Sequence, residues 1–341
     1  MKVYEIVKGS TNVDGLKIAD RPEPKPGPLE CLVRVRACSL NFRDLAVMMG
    51  VYPGPPGGGN LVPLSDGAGE VVAVGSGATR FKKGDRVAAT FFQTWVDGPY
   101  APPGPQRMAL GGPPKDGMLA QYVALHEDGL VAIPDSFSFE DAASLPCAAV
   151  TAWNSLMVSG RPVKPGDTVL TMGTGGVSMF AVQFARAAGA RVITTSSSDE
   201  KLARAAKHGS AELINYKKHP DWDKEVLRVT NGKGVDAVVE VGGSGTLAKS
   251  MMSVGYAGKI GLIGVLSGRE GDTTPHMLMF KGAALHGIYV GSRAMFERML
   301  DAMVVNKIKP IVDKTFEFEA AREAYLHQQA GKHFGKVVIR V

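Results

Sequence analysis

The clearest chemical signature in the chain is the turn GTGGVS at residues 173–178. An apolar strand-like run, TVLTM, precedes it, and apolar residues at helical spacing follow it. Gly173 permits a tight turn, and Gly175 lets the backbone approach a pyrophosphate. The helix that opens at Gly176 and Val177 offers backbone N–H groups to the phosphate oxygens. In this strand, turn and helix context the pattern predicts a dinucleotide-binding turn, with an ordinary glycine-rich connection as the alternative.

The end of the second strand indicates which dinucleotide binds. NAD sites place an acid there, roughly 20 residues after the first glycine, to bind the ribose hydroxyls. The run VITTS ends at Ser196, and no carboxylate stands at that position. Ser196, Ser197 and Lys201 offer hydroxyl groups and a positive charge, which suit a 2′-phosphate. We therefore predict NADPH as the favoured cofactor over NADH.

Three features nearby leave alternatives open. Ser197 and Glu200 fit a capping box for the helix DEKLARAAKH, so the serines could serve the helix alone. A rotation of Asp199 toward the ribose would favour NADH. Tyr216, at the end of AELINY, either covers the 2′-phosphate or is a plain strand-end aromatic.

Two sequence textures indicate two domains. The first 90 residues carry strand-like runs, such as CLVRVRACSL and GEVVAVGS, between Pro and Gly clusters, and predict an irregular β-rich domain. Residues 91–117 are rich in Pro and Gly and predict a long loop. From about residue 167, short apolar strands alternate with helical patterns, which predicts βαβ units and a doubly wound parallel sheet. The final run, FGKVVIRV, is again strand-like and is expected to rejoin the first domain.

Composition excludes several functional classes. The chain has 341 residues, of which 45% are hydrophobic and 21% charged, as in a globular protein. Its net charge of +6 is scattered, without a basic run that aromatics interrupt, so we expect no nucleic-acid partner. Three cysteines, Cys31, Cys38 and Cys147, are too few for a disulfide framework and favour a reducing compartment. With neither a signal-peptide pattern nor an unbroken apolar run, we expect a cytoplasmic protein that does not enter a membrane.

Nearly the whole chain resembles the medium-chain dehydrogenase/reductase superfamily, most closely its zinc-free quinone oxidoreductase and enoyl reductase branch. Besides the turn, the resemblance is carried by SLNFRD at 39–44, VYPG at 51–54, SDGAGEVVAVGSGATRFKKGDRV at 65–87 and SLPCAAVTAW at 144–153. It implies an α/β protein with a GroES-like β-rich catalytic domain and a Rossmann domain. We assign residues 1–130 and 292–341 to the first domain and 131–291 to the second.

The resemblance also implies roles for single residues. In relatives, the residues that match Asn41 and Thr151 contact the cofactor near its nicotinamide end. The residues that match Lys201 and Tyr216 hold the 2′-phosphate, which strengthens the prediction of NADPH. Gly264 and Lys336 complete the predicted cofactor-binding residues.

The same comparison predicts that no zinc is bound. Zinc-dependent relatives have cysteine where this chain has Asn41, and Gly-His-Glu where it has Leu64, Ser65 and Asp66. Of three expected ligands only Cys147 remains, whereas a catalytic zinc needs about three protein ligands. We interpret Cys147 as a small buried residue. The Pro- and Gly-rich segment contains no cysteine for a structural zinc, and the histidines show no metal-binding spacing.

Without zinc, the acceptor itself must spread the negative charge that hydride transfer creates. A quinone or an activated C=C, as in an α,β-unsaturated carbonyl, does so as a phenolate or enolate. Tyr52 is the predicted donor or acid, with a structural aromatic as its alternative, and Asn41 is expected to orient a carbonyl or the nicotinamide ribose. Asp44 is expected to stabilise its helix by pairing with a nearby base.

We therefore predict an NADPH-dependent, zinc-independent oxidoreductase that reduces a quinone or an activated C=C of a small molecule. The alternatives are a zinc-free alcohol or carbonyl oxidoreductase, and a non-catalytic NADPH-binding sensor or structural protein. The resemblance implies a homodimer that pairs the edges of two Rossmann sheets, here at ALHGIYVG, and a monomer is the alternative. The segment is apolar, so an unpaired edge would be a liability.

Overall fold

The structure is a computed structural model that describes residues 1–52, 59–101, 109–266 and 274–341. The chain forms two compact units, Met1–Val150 with Gly291–Val341, and Thr151–Val290. The first division falls after Val150 rather than at residue 130, because the helix Phe139–Ala143 packs on strands of the first unit.

Fifteen strands are found in the described residues: β1 Lys2–Ile6, β2 Leu16–Asp20, β3 Glu30–Leu40, β4 Asp66–Val74, β5 Arg86–Ala89, β6 Tyr122–His126, β7 Leu130–Ala132, β8 Thr168–Met172, β9 Arg191–Ser196, β10 Glu212–Asn215, β11 Val235–Glu240, β12 Val254–Leu262, β13 Ala284–Gly287, β14 Val312–Glu317 and β15 Lys336–Arg340. The α-helices of the same residues are α1 Phe42–Met48, α2 Phe139–Ala143, α3 Ala148–Trp153, α4 Gly176–Ala187, α5 Asp199–Lys207, α6 Trp222–Val229, α7 Ser244–Ser253, α8 His276–Lys281, α9 Arg293–Val305 and α10 Ala321–Gln329. A π-helical turn, Asn154–Val158, follows α3.

The first unit is built around a mixed sheet in the order β14, β15, β3, β4, β5, β7, with β6 also paired to β3. Along β3, Val33 and Val35 are buried and Arg34 between them is exposed, as an alternating strand requires. The strand end from residue 37 to residue 40 is buried throughout. The buried core of this unit therefore continues from the end of this strand to the helix α1 that follows it.

Strand register brings distant segments to the end of β3. β15 runs antiparallel to β3 with Val337 opposite Leu40, and β4 runs antiparallel to it with Asp66 opposite Ser39. The residue after β3 is Asn41, and the residue before Val337 is Lys336. Three stretches that are far apart in sequence thus meet at one point.

The second unit has a six-stranded sheet in the order β10, β9, β8, β11, β12, β13, and every pairing in it is parallel. Its central strands are buried on both faces, which explains their nearly continuous apolar runs. The runs TVLTM and VITTS lie on β8 and β9, AELINY contains β10, and ALHGIYVG contains β13. The fold is therefore the predicted α/β combination of a GroES-like β-rich domain and a Rossmann domain.

The predicted edge and the predicted loop are found as expected in the described residues. β13 pairs only with β12 within the described sheet, and Leu285 on it is 40% exposed. The parts of the 91–117 segment that the structure describes hold turns and the isolated bridges Phe92 to Ala109 and Gly112 to Lys115, with neither helix nor extended strand. Within the described ranges, no helix has both the length and the apolarity to cross a membrane.

Candidate functional site

The predicted dinucleotide turn lies between β8 and α4 at the carboxyl edge of the parallel sheet. Gly173 has a φ of +72°, a conformation that favours glycine, and Gly175 precedes the first helical residue, Gly176. Ser178 stands where the usual pattern has a third glycine. Its hydroxyl donates to the Met172 carbonyl oxygen at 2.5 Å, so the side chain ties the helix to the strand rather than separating them.

The packing of the chain around residue 175 does not require glycine. Its φ is −78°, which any residue can adopt, and a Cβ atom added there would meet nothing within 4 Å. Folding alone therefore does not require glycine at this position. Open space before the start of a helix, where backbone N–H groups lack helical partners, suits a phosphate group.

The end of β9 and the end of β10 lie side by side in the sheet. Asn215 is paired with Ser196 in the parallel register, and the Tyr216 N–H donates to the Ser196 carbonyl oxygen at 3.0 Å. The ring of Tyr216 is partly exposed. Lys201 lies in the first turn of α5, directly after β9. The structure thus brings Ser196, Lys201 and Tyr216 to one end of the sheet.

The helix cap in this region differs from the sequence interpretation. Ser198, not Ser197, is the N-cap of α5, and its Oγ accepts from the Lys201 N–H at 3.3 Å. The capping box of Ser197 with Glu200 was therefore wrong by one residue. The reason is local: α5 begins at Asp199, which makes Ser198 the last extended residue.

Asp199 is held by neighbours in the second unit. Asn215 Nδ2 donates to Asp199 Oδ1 at 2.6 Å, and Lys218 Nζ lies 2.6 Å from Oδ2. The hydrogen bonds from Asn215 and then Lys218 lower the pKa of this carboxyl group. Both carboxylate oxygens are engaged, which counts against a turn of Asp199 toward a ribose.

Gly264 has a packing role that the sequence did not reveal. A Cβ atom at this position would lie 1.9 Å from the Val241 carbonyl oxygen, so only glycine fits the approach of these two backbones. Next to it, the fully buried Glu240 accepts hydrogen bonds from the Gly242 and Gly243 N–H groups and from Thr246 Oγ1. The sequence pattern alone did not predict the burial of Glu240, which stands at the end of the apolar run DAVVE.

In the first unit, a buried polar cluster gathers at the end of β3. Lys336 is 2% exposed, and its Nζ donates to Asn41 Oδ1 at 2.6 Å and to the Leu40 carbonyl oxygen at 2.8 Å. The same ammonium lies 3.6 Å from Asp66 Oδ2. Lys336 is thus placed inside this unit, beside Asn41, and its contact with a cofactor stays a prediction. We call Asn41, Asp66 and Lys336, together with Arg43 and Asp44, the polar cluster.

Asp66 is fully buried and accepts hydrogen bonds from several groups besides Lys336. Ser65 Oγ donates to its Oδ1 at 2.8 Å, and the Cys147 N–H donates to its Oδ2 at 3.3 Å. Ser39 Oγ lies 3.4 Å from the same Oδ2. These partners satisfy a carboxylate whose burial would otherwise be costly.

Arg43 and Asp44 form the second half of the polar cluster. Arg43 Nη1 donates to Asp44 Oδ1 at 3.0 Å and to the Leu110 carbonyl oxygen at 3.0 Å. Asp44 Oδ2 accepts from the Asn41 N–H at 2.8 Å, so Asp44 stabilises the start of α1 and pairs with a base, as expected. Burial, only partly offset by Arg43, raises the pKa of Asp44 to about 6.

Tyr52 contacts this cluster through its ring. The guanidinium carbon of Arg43 lies 4.6 Å from the ring centroid, within the range of a cation–π interaction. The rest of the VYPG motif, residues 53 and 54, lies outside the described residues. Thr151 is the first residue of the second unit. It lies on α3, and 3% of its surface is exposed. The roles of both residues stay predictions.

The side chains at the positions of the zinc ligands do not fit a zinc ion. The Lys336 ammonium lies against Asn41 and Asp66 and would repel a second cation there. Burial and then the Asp66 carboxylate raise the pKa of the Cys147 thiol, which disfavours the thiolate that zinc binds. Cys147 as a whole residue is partly exposed, whereas its thiol is desolvated, so the interpretation as a buried residue holds for the thiol and not for the whole residue. No three His, Cys, Asp or Glu side chains converge within the described parts of the chain.

Comparison with known proteins agrees with both units. Residues 27–135 match the family described as alcohol dehydrogenase GroES-like domain, and residues 176–304 match the family described as zinc-binding dehydrogenase. The chain is 45% identical to a zinc-type alcohol dehydrogenase-like protein of Schizosaccharomyces pombe over 99% of each chain. It is 32% identical to a quinone oxidoreductase of Pseudomonas aeruginosa over 95% of each chain.

Solved structures give the same result. The structure of an NAD-dependent alcohol dehydrogenase is 35% identical over 100% of both chains, with a TM-score of 0.91. A mycobacterial structure complexed with NADPH is 27% identical over 100% of both chains, with a TM-score of 0.82. The protein therefore belongs to the medium-chain dehydrogenase/reductase superfamily, in its quinone oxidoreductase-like branch, and is an NAD(P)H-dependent oxidoreductase.

Proposed function

We propose that this protein is an NADPH-dependent, zinc-independent oxidoreductase that transfers hydride to a quinone or to the activated C=C of an α,β-unsaturated carbonyl. One observation carries the proposal. The buried Lys336 ammonium lies 3.6 Å from Asp66 Oδ2 and 2.6 Å from Oδ1 of Asn41, whose position holds a zinc ligand in metal-dependent relatives. A fixed cation there disfavours the binding of a zinc ion, so we assign the stabilisation of the transferred charge to hydrogen-bond donors.

The end of β9 supports NADPH over NADH. Ser196 ends the strand, Lys201 lies in the first turn of the helix that follows, and the partly exposed Tyr216 follows the neighbouring strand β10, an arrangement that suits a 2′-phosphate. The first acid after this strand, Asp199, accepts a hydrogen bond from Asn215 and pairs with Lys218. NADPH supplies the hydride when bound, and the residues of this unit would hold its phosphates.

The chemistry of the acceptor follows from the groups in the polar cluster. Lys336 and Arg43 supply positive charge, and the Asn41 carboxamide and Tyr52 hydroxyl groups are neutral donors. Neutral donors stabilise a delocalised phenolate or enolate sufficiently, whereas a localised alkoxide needs more. We assign to Asn41 the orientation of the acceptor carbonyl or the nicotinamide ribose, and to Tyr52 the donation of a hydrogen bond or proton.

The proposal is tested by following the oxidation of NADPH and of NADH, with and without a metal chelator. A quinone, an enone and the saturated ketone of the same carbon skeleton serve as acceptors. We expect oxidation of NADPH with the quinone or the enone, unchanged by the chelator, and slower oxidation of NADH. Activity that appears only when zinc is added, and only with the saturated ketone or its alcohol, would contradict the proposal.

A second candidate is a zinc-free alcohol or carbonyl oxidoreductase. The relative at 45% identity and the structure at 35% identity carry alcohol dehydrogenase names, which favours it. The comparison of the enone with its saturated ketone separates the two functions. Reduction of the ketone at a rate equal to that of the enone, in the presence of the chelator, would support the second candidate.

A further inference from the structure

We propose that Lys336 is a positioning residue that turns the Asn41 carboxamide so that its N–H groups face an oxygen atom of the bound cofactor or acceptor. The inference rests on the proposed function, because it assigns a ligand atom to one side chain of that same site. It concerns the orientation of one amide group, which the strand pairing of β15 with β3 decides.

The identity of the hydrogen-bonding atoms follows from their chemistry. An ammonium group donates and never accepts, so the atom of Asn41 that meets Lys336 Nζ at 2.6 Å must be the carbonyl oxygen Oδ1. The amide nitrogen then points the other way. Asn41 Nδ2 is buried, and within the described residues it has no hydrogen-bond partner. A buried donor without a partner costs free energy, which a ligand oxygen would recover.

The backbone of Asn41 is held by hydrogen bonds, so the open question is which way its carboxamide group is turned. Its backbone N–H donates to Asp44 Oδ2 at 2.8 Å, and it is the N-cap of α1. The last torsion of an asparagine side chain is broad and roughly two-fold, so neither orientation is preferred by the side chain itself. Lys336 removes that ambiguity, because the opposite orientation would place N–H groups against an ammonium.

Lys336 is rigid enough for this task. Its side chain is 2% exposed, and its Nζ also donates to the Leu40 carbonyl oxygen at 2.8 Å. A simple structural role would be to neutralise Asp66. However, Asp66 is 3.6 Å from Nζ, farther than Asn41, and it accepts hydrogen bonds from Ser65 and the Cys147 backbone as well.

A double-mutant cycle between Lys336 and Asn41 tests the inference in two assays. The variants are Lys336→Met, Asn41→Leu and the double mutant. The first assay measures the dissociation constant of NADPH by fluorescence titration and needs no turnover. The second measures kcat/KM for the acceptor at saturating NADPH. We expect Lys336→Met to cost about tenfold in one of the assays and less than about twofold in the Asn41→Leu background, since residues that act through each other are not additive.

The assay that shows the coupling identifies the ligand atom. Coupling in the dissociation constant assigns the Asn41 N–H to an oxygen of the cofactor, and coupling in kcat/KM assigns it to the acceptor carbonyl. Additive effects in both assays would overturn the inference. A wild-type protein that binds NADPH without turnover would overturn the proposed function alone, and the binding cycle would then decide the inference by itself.

Two conservative variants separate positioning from folding. Lys336→Arg keeps a cationic donor and should restore most of the activity that Lys336→Met loses. Asn41→Asp keeps an oxygen for Lys336 but has no N–H to offer, so we expect it to be as impaired as Asn41→Leu. Full binding and turnover by Asn41→Asp would also overturn the inference, whether or not Lys336→Met folds.

Lys259 provides a matched control. It is a second buried lysine, 6% exposed, whose Nζ donates to the carbonyl oxygens of Leu156 and Ser159 in the other unit. Lys259→Met is expected to lower the melting temperature, and its effect on both assays should be additive with Asn41→Leu. Coupling of the same size for Lys259 would count against a specific role of Lys336.

Discussion

At the scale of single residues, burial has a larger effect on the pKa of Asp44 than its ion pair with Arg43. This side chain is fully buried beside Arg43, whose guanidinium stabilises the carboxylate. Loss of water from the carboxyl group nevertheless outweighs that attraction and raises its pKa to about 6. The polar cluster therefore contains a carboxyl group that changes its charge in a mildly acidic range.

This pKa shift predicts an unusual pH dependence of stability. Because the folded protein binds a proton at Asp44 more tightly than the unfolded chain, the contribution of Asp44 to the free energy of unfolding falls as pH rises from about 4 to about 6. Above that range it is constant. The difference in free energy of unfolding between the wild type and Asp44→Asn, from urea denaturation at several pH values, should follow this course.

Asp128→Asn is the control of opposite sign. The hydrogen bond from Arg293 lowers the pKa of Asp128, so its stabilisation is present above pH 4 and is lost as pH falls below that value. If the Asp44 difference instead rose with pH as the Asp128 difference does, the ion pair with Arg43 would outweigh burial and the interpretation would be wrong.

At the scale of elements, the two glycines of the turn between β8 and α4 have different roles: the backbone conformation requires glycine at Gly173 but not at Gly175. Gly173 has a left-handed backbone, whereas Gly175 has an ordinary one with open space at its Cβ position. A methyl group at Gly175 therefore disturbs little within the chain. It would, however, occupy the space where a pyrophosphate approaches the backbone.

We expect Gly175→Ala to change the free energy of unfolding of the ligand-free protein by less than about 1 kcal/mol. Its affinity for NADPH should fall by at least about tenfold, because the added methyl group blocks the close approach that the second glycine of the turn allows. Denaturation without nucleotide and calorimetric titration with NADPH measure the two effects.

Gly166→Ala is the matched control, since Gly166 lies in the same unit with a φ of +88° and open space around its Cβ position. It should lose about 1–2 kcal/mol of stability from backbone strain while binding NADPH normally. Unchanged affinity in Gly175→Ala would remove the turn from the proposed cofactor site.

At the scale of the whole molecule, the edge of the parallel sheet raises the question of assembly. β13 forms an edge of the described sheet, and its residues are largely exposed, Leu285 to 40%. Exposed strand edges tend to pair with another strand unless charge or proline blocks them. We propose that two copies of the chain pair through this edge.

The homodimer is tested by sedimentation of the wild type and of Leu285→Lys over a range of concentrations. We expect a dimer for the wild type and a shift to monomer for the variant, because a charge on the edge opposes pairing. Val305→Lys, at an exposed apolar position on α9 in the other unit, should leave the dimer intact. A wild type that is monomeric at every concentration would refute the proposal.

The sequence by itself determined the elements and their class, because a strand, a glycine turn and a helix are set by neighbours in the chain. The run TVLTM and the turn GTGGVS therefore predicted β8, the glycine turn and α4. Helix boundaries were less certain, and the cap of α5 fell on Ser198 instead of Ser197 because local hydrogen bonds choose between adjacent serines.

Only the tertiary structure decided what surrounds Asn41. Lys336 lies 295 positions away in sequence, and the antiparallel register of β15 with β3 brings its ammonium to the Asn41 carboxamide. No local pattern encodes a contact between such distant segments. The sequence therefore predicted Lys336 as a cofactor-binding residue but did not predict its hydrogen bond with Asn41. The pairing of β4 with β3 places the fully buried Asp66 3.6 Å from the same ammonium. Asp44 is also fully buried, and this burial, which a sequence motif does not show, raises its pKa.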